Sequence, residues 1–320
     1  MDEGSIAIVP GANPKIRNGD VQYPFRQDSD FRYLTGFDEP NAVFVLIPGR
    51  EHGETLLFCR ERDNEHERWH GHVTGPELAM QLFGMDDAFP VSDIDDILPG
   101  LIEGRSKLYY AMGVDRDFDH QVIEWVKKIS QSDHLGAESP GEFVQLDHYL
   151  HELRLFKSAA EIALMKLAAD ATVKGHCRIM QKTQPGMMEY ELEAELIHEF
   201  SINGARYCAY PPIVGGGANA CVLHYVSNNK VLADGDLVLV DAGGEYEGYA
   251  CDLTRTFPVN GRFSESQARV YEVVLRAQEA AIAAVRPGNT WNEPHEAAIR
   301  ELSKGLVTLG VLSGKLDELI

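Results

Sequence analysis

Leu237-Val-Leu-Val-Asp241-Ala-Gly-Gly-Glu-Tyr-Glu-Gly-Tyr-Ala-Cys-Asp252-Leu-Thr-Arg-Thr-Phe257 is the stretch on which the fold of the second half of the chain turns. Two runs rich in β-branched and aromatic residues flank a Gly-rich centre, which is the pattern of a β-hairpin. With Tyr246 and Glu247 at the tip, outward pairing sets Glu245 against Gly248, Gly243 against Ala250, and Asp241 directly against Asp252. Directly opposed residues on one sheet face have Cβ atoms about 4.5–5.5 Å apart, and like charges placed that way repel.

Such a pair persists when a cation lies between the carboxylates or when the two share a proton. Hard carboxylate oxygens suit Mn²⁺ and similar divalent ions, and bridging carboxylates build two-metal sites. The alternative is that both aspartates lie at strand ends in water, or that Asp252 pairs with Arg255. Spacing alone leaves both readings open. Glu245 and Glu247, at the tip, read as solvated.

At 320 residues and 44% apolar content the chain buries a sizeable core, and its length points to two domains. A formal net charge of −21 argues against a nucleic-acid or anionic-membrane surface, which needs clustered Lys and Arg. Chemistry on a small molecule or a peptide is the remaining class. No apolar run reaches the length of a membrane span, and Met1-Asp-Glu-Gly-Ser lacks the basic and apolar regions of a signal peptide, so a cytoplasmic location is expected. Five cysteines (Cys59, Cys177, Cys208, Cys221, Cys251) form no C-x-x-C pair. They indicate neither a disulfide framework nor a thiolate zinc site, and most are expected to be buried as small hydrophobes.

In the first half, residues 5–9, 42–47, 55–59 and 107–112 read as strands, and residues 76–83 and 119–129 as helices: a small mixed α/β domain. The second and third strands are joined by a Pro48-Gly49 turn, which predicts an antiparallel pair. Arg60 to His72, dense in charge and His around Trp69, reads as a solvated loop. Periodicity is lost near 133–150, from Ser132 to Gly141, giving domains 1–150 and 151–320.

Beyond the junction, Ser158-x-x-Glu161 is a capping box ahead of a long helix that Gln184-Pro185-Gly186 ends; Glu189 to Phe200 resumes helical spacing and stops at Asn203-Gly204. The same order returns. Ser264-x-x-Gln267 precedes apolar Val270, Val273, Val274, Ala277, Ala281 and Val285, Arg286-Pro287-Gly288 breaks the helix, and Glu293 to Leu309 forms another. Helix, Pro-Gly, helix is thus written twice, as an internal repeat. Between the copies, Cys221-Val-Leu-His224 reads as a strand able to run beside the hairpin. Gly215-Gly-Gly217 lacks the Lys-Ser/Thr of a phosphate loop, which leaves close approach to a peptide or a flexible turn.

The hairpin, Tyr207-Cys-Ala-Tyr-Pro-Pro-Ile-Val-Gly-Gly-Gly-Ala-Asn-Ala-Cys-Val-Leu-His224-Tyr225, Glu152-Leu-Arg-Leu-Phe-Lys-Ser158 and Tyr23-Pro-Phe-Arg-Gln-Asp-Ser-Asp-Phe-Arg-Tyr-Leu-Thr-Gly-Phe37 together resemble proline-specific aminopeptidase P, the Xaa-Pro aminopeptidases. The resemblance implies a fold of class α/β (α+β): an N-terminal mixed α/β domain, then a pita-bread domain of two related halves, here incomplete. It implies hydrolysis of the bond between an N-terminal residue and a following proline, by a hydroxide bridging two divalent ions, usually Mn²⁺. Asp241 would be a terminal ligand to one ion and Asp252 a bridging ligand. His224 would support substrate and oxyanion, Tyr210 would orient the site through its hydroxyl, and Trp69 would lie near a neighbouring substrate site, consistent with a homo-oligomer.

Members of the resembled family begin with a further helix and continue with a His-rich strand and two Glu-bearing strands that complete the metal site. The chain is therefore expected to be a fragment with weak Mn²⁺ binding and little activity. A prolidase, cutting Xaa-Pro dipeptides only, and a non-catalytic pita-bread module binding peptide or protein are the other readings. Two retained aspartates argue against the second.

Overall fold

Alternation along β1 (Ser5–Pro10) sets up two cores, because successive side chains of a strand point to opposite faces. Ile6 and Ile8 go to one side, Ala7 and Val9 to the other. The computed structural model describes residues 1–131 and 138–320. It divides into two compact units, Met1–Ser158 and Ala159–Ile320. The stretch Ser132–Ala137, where the sequence loses periodicity, lies outside the described residues.

In the first unit, a small ribbon of β2 (Ile16–Asn18) and β3 (Val21–Gln22) precedes α1 (Ser29–Thr35), whose Asp28 cap accepts from the Asp30 and Phe31 N–H groups. β4 (Val43–Leu46) and β5 (Thr55–Cys59) form the expected antiparallel pair. Next come α2 (Asn64–His70), α3 (Gly75–Phe83), β6 (Asp87–Pro90), α4 (Ile94–Ile102), β7 (Lys107–Tyr110), α5 (Arg116–Ser130), β8 (Glu142–Gln145) and α6 (Asp147–Leu155). The strands make one six-stranded mixed sheet in the order β6-β5-β4-β1-β7-β8. One face buries Ile6, Ile8, Val45 and Phe58 under Leu98, Ile102, Val122 and Trp125 of α4 and α5; the other buries Val9, Phe44 and Leu57 with Phe31, Ala79 and Leu150.

One expectation fails in this unit. The segment Arg60 to His72 is not a solvated loop, because α2 lies within it. The Asp63 carboxylate accepts from the Glu65 and His66 N–H groups, and Glu65 and Glu67 suit the positive end of the helix dipole. His66 and His70, one turn apart, stack with ring centroids 4.4 Å apart. Trp69 on this helix is 81% exposed.

In the second unit, α7 (Ala159–Lys182) and α8 (Glu189–Ile202) match the first helix pair, with Leu192, Leu196 and Phe200 buried as their spacing predicts. β9 (Tyr207–Cys208) and β10 (Ile213–Gly216) follow, then β11 (Leu237–Asp241), β12 (Gly244–Tyr246), β13 (Tyr249–Ala250) and β14 (Thr254–Pro258). They form two three-stranded antiparallel sheets, β10-β11-β14 and β13-β12-β9. Val214, Val238 and Val240 of the first pack on Leu192, Leu196 and Ile179.

α9 (Glu265–Ala284) starts on the expected capping box of Ser264 and Gln267, and α10 (Asn292–Thr308) packs against it before the short α11 (Leu316–Leu319). Of the six apolar positions predicted to face a core along α9 and its end, Val273 and Ala277 are buried, whereas Val270, Val274 and Val285 are exposed. The cysteines are all free thiols, as expected, but depart from expectation in burial: Cys59 is buried, Cys208 and Cys251 are half-buried, and Cys177 and Cys221 are exposed. Among the described residues no helix is long and apolar enough to cross a membrane.

Candidate functional site

The hairpin exists, with a register that differs from the one read along the chain. Tyr246 pairs with Tyr249 and Glu245 with Ala250, so the tip is Glu247-Gly248. Both tip residues have positive φ, 48° and 80°, the requirement of the two-residue turn that matches strand twist. Gly248 meets it without strain, whereas the assumed tip would have needed positive φ at the aromatic Tyr246. The same register runs into β11 and β14, and Asp241 faces Thr254 instead of Asp252.

A slip of two residues keeps a side chain on its face of the sheet, so the carboxylates still converge, now diagonally. The residue that joins them is Tyr210, half-buried just after β9. Its hydroxyl lies 2.5 Å from Asp241 Oδ1 and 3.0 Å from Asp252 Oδ1. The two carboxylate oxygens therefore lie within the sum of those lengths of each other. Burial first, then hydrogen bonding to Asp241, pushes the Tyr210 phenol well above its ordinary pKa, so it stays protonated. A phenol carries one proton. It donates to one carboxylate at a time, and the other faces a lone pair.

Helix α7 holds the base of the hairpin from below. Thr172 Oγ1 accepts from Gly244 N–H at 2.9 Å, and His176 Nε2 lies 3.0 Å from the Ala242 carbonyl. A carbonyl only accepts, so Nε2 carries the proton. His176 is 2% exposed, and its Nδ1 is left without a hydrogen-bond partner. Burial is the main cause that lowers its pKa, keeping the ring neutral.

His224 does not lie on a strand beside the hairpin. The chain from Gly217 to Cys221 is a 3-10 turn, followed by turn and bend through His224, because β10 already occupies the edge of β11 that such a strand would need. His224 is exposed, and Leu223 beside it is 88% exposed. The Gly-rich run is close-packed: a Cβ on Gly216 would meet Leu232 Cδ2 at 2.5 Å, so the close approach is to the chain itself. Glu245 is half-buried on β12, and Glu247 is exposed at the tip.

The residue that the sequence reading passed over is Glu189, the first of α8. It is fully buried. Its Oε1 accepts from Gly216 N–H at 2.8 Å and Asn219 Nδ2 at 3.0 Å; its Oε2 accepts from the Tyr225 hydroxyl at 2.8 Å and Lys230 N–H at 2.9 Å. Burial alone would raise its pKa, but those four bonds outweigh it and hold the carboxyl below the usual glutamate value. Its only signal in the sequence is the pair Glu189-x-x-x-Glu193, which helical spacing puts on one face.

Asp241 and Asp252 are hard oxygen donors suited in kind to a divalent cation. Their shared single-proton partner leaves them short of positive charge. Among the described residues no group of three or more His, Cys, Asp or Glu is placed to hold a metal ion. The donor set therefore fits such an ion in chemistry and falls short in number.

Comparison with known proteins covers both units. A family model described as Metallopeptidase family M24 matches residues 163–315, and one described as Aminopeptidase P, N-terminal domain, matches residues 1–110. The Xaa-Pro aminopeptidase of Escherichia coli K12 is 43% identical over 321 residues, spanning 100% of this chain and 73% of that protein. The structure of Pseudomonas aeruginosa aminopeptidase PepP superposes with a TM-score of 0.98 at 54% identity, covering 100% of this chain and 72% of that one. Zinc-substituted Escherichia coli aminopeptidase P in complex with product gives a TM-score of 0.97 at 42% identity, covering 100% and 73%.

Proposed function

Since the chain belongs to the Xaa-Pro aminopeptidases of metallopeptidase family M24, with the aminopeptidase P N-terminal domain ahead of the M24 domain, we propose that it releases the N-terminal residue from peptides whose second residue is proline, using the Tyr210–Asp241–Asp252 cluster as part of a dimetal centre. The observation that carries this reading is the single Tyr210 hydroxyl within hydrogen-bond reach of both carboxylates.

Asp241 and Asp252 would hold the ions, with Mn²⁺ the expected metal. Ions held there supply Lewis acidity and a water ionised near neutral pH. Tyr210, a permanent donor, fixes the orientation of the carboxylate oxygens. His224, exposed on its turn, offers a ring N–H to the substrate carbonyl oxygen and to the negative charge that grows on it. Hydrolysis consumes one water and breaks the bond between the carbonyl carbon and the proline nitrogen, the hydroxyl going to the carbon and the proton to the nitrogen. Trp69, a large exposed aromatic on α2, is the proposed contact with substrate at the active centre of a second copy, in a cytoplasmic homo-oligomer.

Two carboxylates make a weak site, because affinity follows the number and rigidity of the ligands. This chain is accordingly expected to bind Mn²⁺ poorly and to turn over slowly. The test is release of the N-terminal residue from an Xaa-Pro-Yaa peptide in Mn²⁺, with Asp241→Asn as control. Metal-dependent release that Asp241→Asn leaves intact would refute the assignment of the site.

A further inference from the structure

We propose that Glu189 is a positioning residue: its buried carboxylate fixes the segment Gly216–Lys230 and so sets where His224 stands. The proposal rests on the reading of His224 given above for its functional meaning, though not for its physical basis. Four donors converge on Glu189, from both ends of the segment and from its middle: Gly216, Asn219, Tyr225 and Lys230. Tyr225 is the residue next to His224, so the ring that anchors the turn is one peptide away from the side chain offered to substrate. Asn219 closes the cluster by also donating to the Tyr225 hydroxyl at 3.0 Å.

A second clamp works on the same segment one helical turn further along α8. Asn228, buried with φ 45°, donates from Nδ2 to Glu193 Oε2 at 2.8 Å and to the Pro212 carbonyl at 2.9 Å, and accepts from Val214 N–H at Oδ1. Both ends of the turn are thereby tied to one rigid helix, while Val222, Leu223 and Val226 between them stay exposed. The exposed residues have few apolar contacts of their own to hold them. Order at His224 therefore comes from the polar groups beneath it.

Only an acceptor on both oxygens satisfies this cluster. Oε1 faces the N–H of Gly216 and Oε2 the N–H of Lys230, and a backbone N–H cannot reverse its polarity. A glutamine, whichever way its amide is turned, sets an NH₂ against one of them. The isosteric substitution thus removes the acceptor without removing volume.

The experiment uses the full chain and does not depend on its turnover. Glu189→Gln is compared with wild type by amide exchange and by ring resonances in a histidine-labelled sample. Expected are exchange about tenfold faster or more at whichever of Gly216 and Lys230 the amide nitrogen faces, which loses its hydrogen bond to a charged group, and displaced or broadened His224 signals; unchanged exchange at both would overturn the proposal. His198 and His295, in the same unit, should keep theirs. Unchanged His224 signals would overturn the proposal, as would equal displacement of all three, which marks a general loosening of the unit. Glu189→Asp should restore part of the His224 signature; a profile identical to that of the Gln variant would also count against the proposal. In parallel, His224→Ala is assayed on the Xaa-Pro-Yaa peptide, and an unaltered rate would refute the role of His224 while leaving the exchange result standing.

Discussion

Two carboxylate centres in the same unit are built in opposite ways. Glu189 is one anion with four donors; Asp241 and Asp252 are two anions that share one hydroxyl. The first is satisfied by neutral N–H and O–H groups, which is why it is tolerated out of contact with water. The second leaves lone pairs facing one another at a half-exposed edge. A satisfied anion holds structure. A pair of anions with one protein donor between them is suited to receive a cation, and the comparison teaches that the carboxylate buried in this fold is the one given a full set of donors, while the under-supplied pair stands where solvent reaches it.

The sharpest way to break the contrast is Glu189→Gln, expected to cost about 1–3 kcal/mol of unfolding free energy in denaturant titration, because a backbone donor is left buried and unpaired. A loss below about 0.5 kcal/mol would mean that water reaches the cluster. Acid titration sharpens the same point. The folded pKa of Glu189 is depressed, so its contribution is complete above the ordinary glutamate value and is lost as pH falls through the lower folded value. Wild type should lose stability over that acid window more steeply than Glu189→Gln.

The aspartate pair should behave in the reverse sense. Asp241→Asn relieves repulsion, and the metal-free chain is expected to gain about 0.2–1 kcal/mol, read as a higher denaturation midpoint. Destabilisation instead would show that the Tyr210 hydrogen bond to Asp241 outweighs the repulsion between the carboxylates. With two donors, 1 mM Mn²⁺ should stabilise wild type by less than about 0.5 kcal/mol, the linkage expected for a roughly millimolar site. A micromolar affinity in calorimetry would show that ligands beyond Asp241 and Asp252 take part. The smallest effect belongs to His224→Ala, an exposed side chain, with stability expected within about 0.5 kcal/mol of wild type.

A second contrast separates the two helix pairs. α7 with α8 and α9 with α10 follow the same order of helix, Pro-Gly break and helix, and Gly186 and Gly288 take nearly the same φ, 93° and 91°. The first pair buries Ala171, Ile179, Leu192, Leu196 and Phe200 against Val214, Val238 and Val240. The second buries little beyond Val273, Ala277, Ser303 and Gly305, and Val270, Val274 and Ile282 stay exposed. Helix formation is a local property; burial needs a partner surface.

That distinction orders what the sequence determined. Strands, helices, caps and breaks were legible because propensity, alternation and capping act over a few residues. Long motifs carried the family, and the hairpin carried Asp241 and Asp252 on one face. Tertiary structure alone decided the register that sets Asp241 against Thr254, since the tip was one residue further on than the pattern suggested. It alone decided that Tyr210 bridges the pair across a separation of 31 residues and that Glu189 gathers donors up to 41 residues away, whereas α2, with its Asp63 cap and no buried side chain, carried a local signal that the charge-rich reading overlooked. Such partners are chosen by packing and by the demand that every buried donor find an acceptor, and neither is written in local spacing.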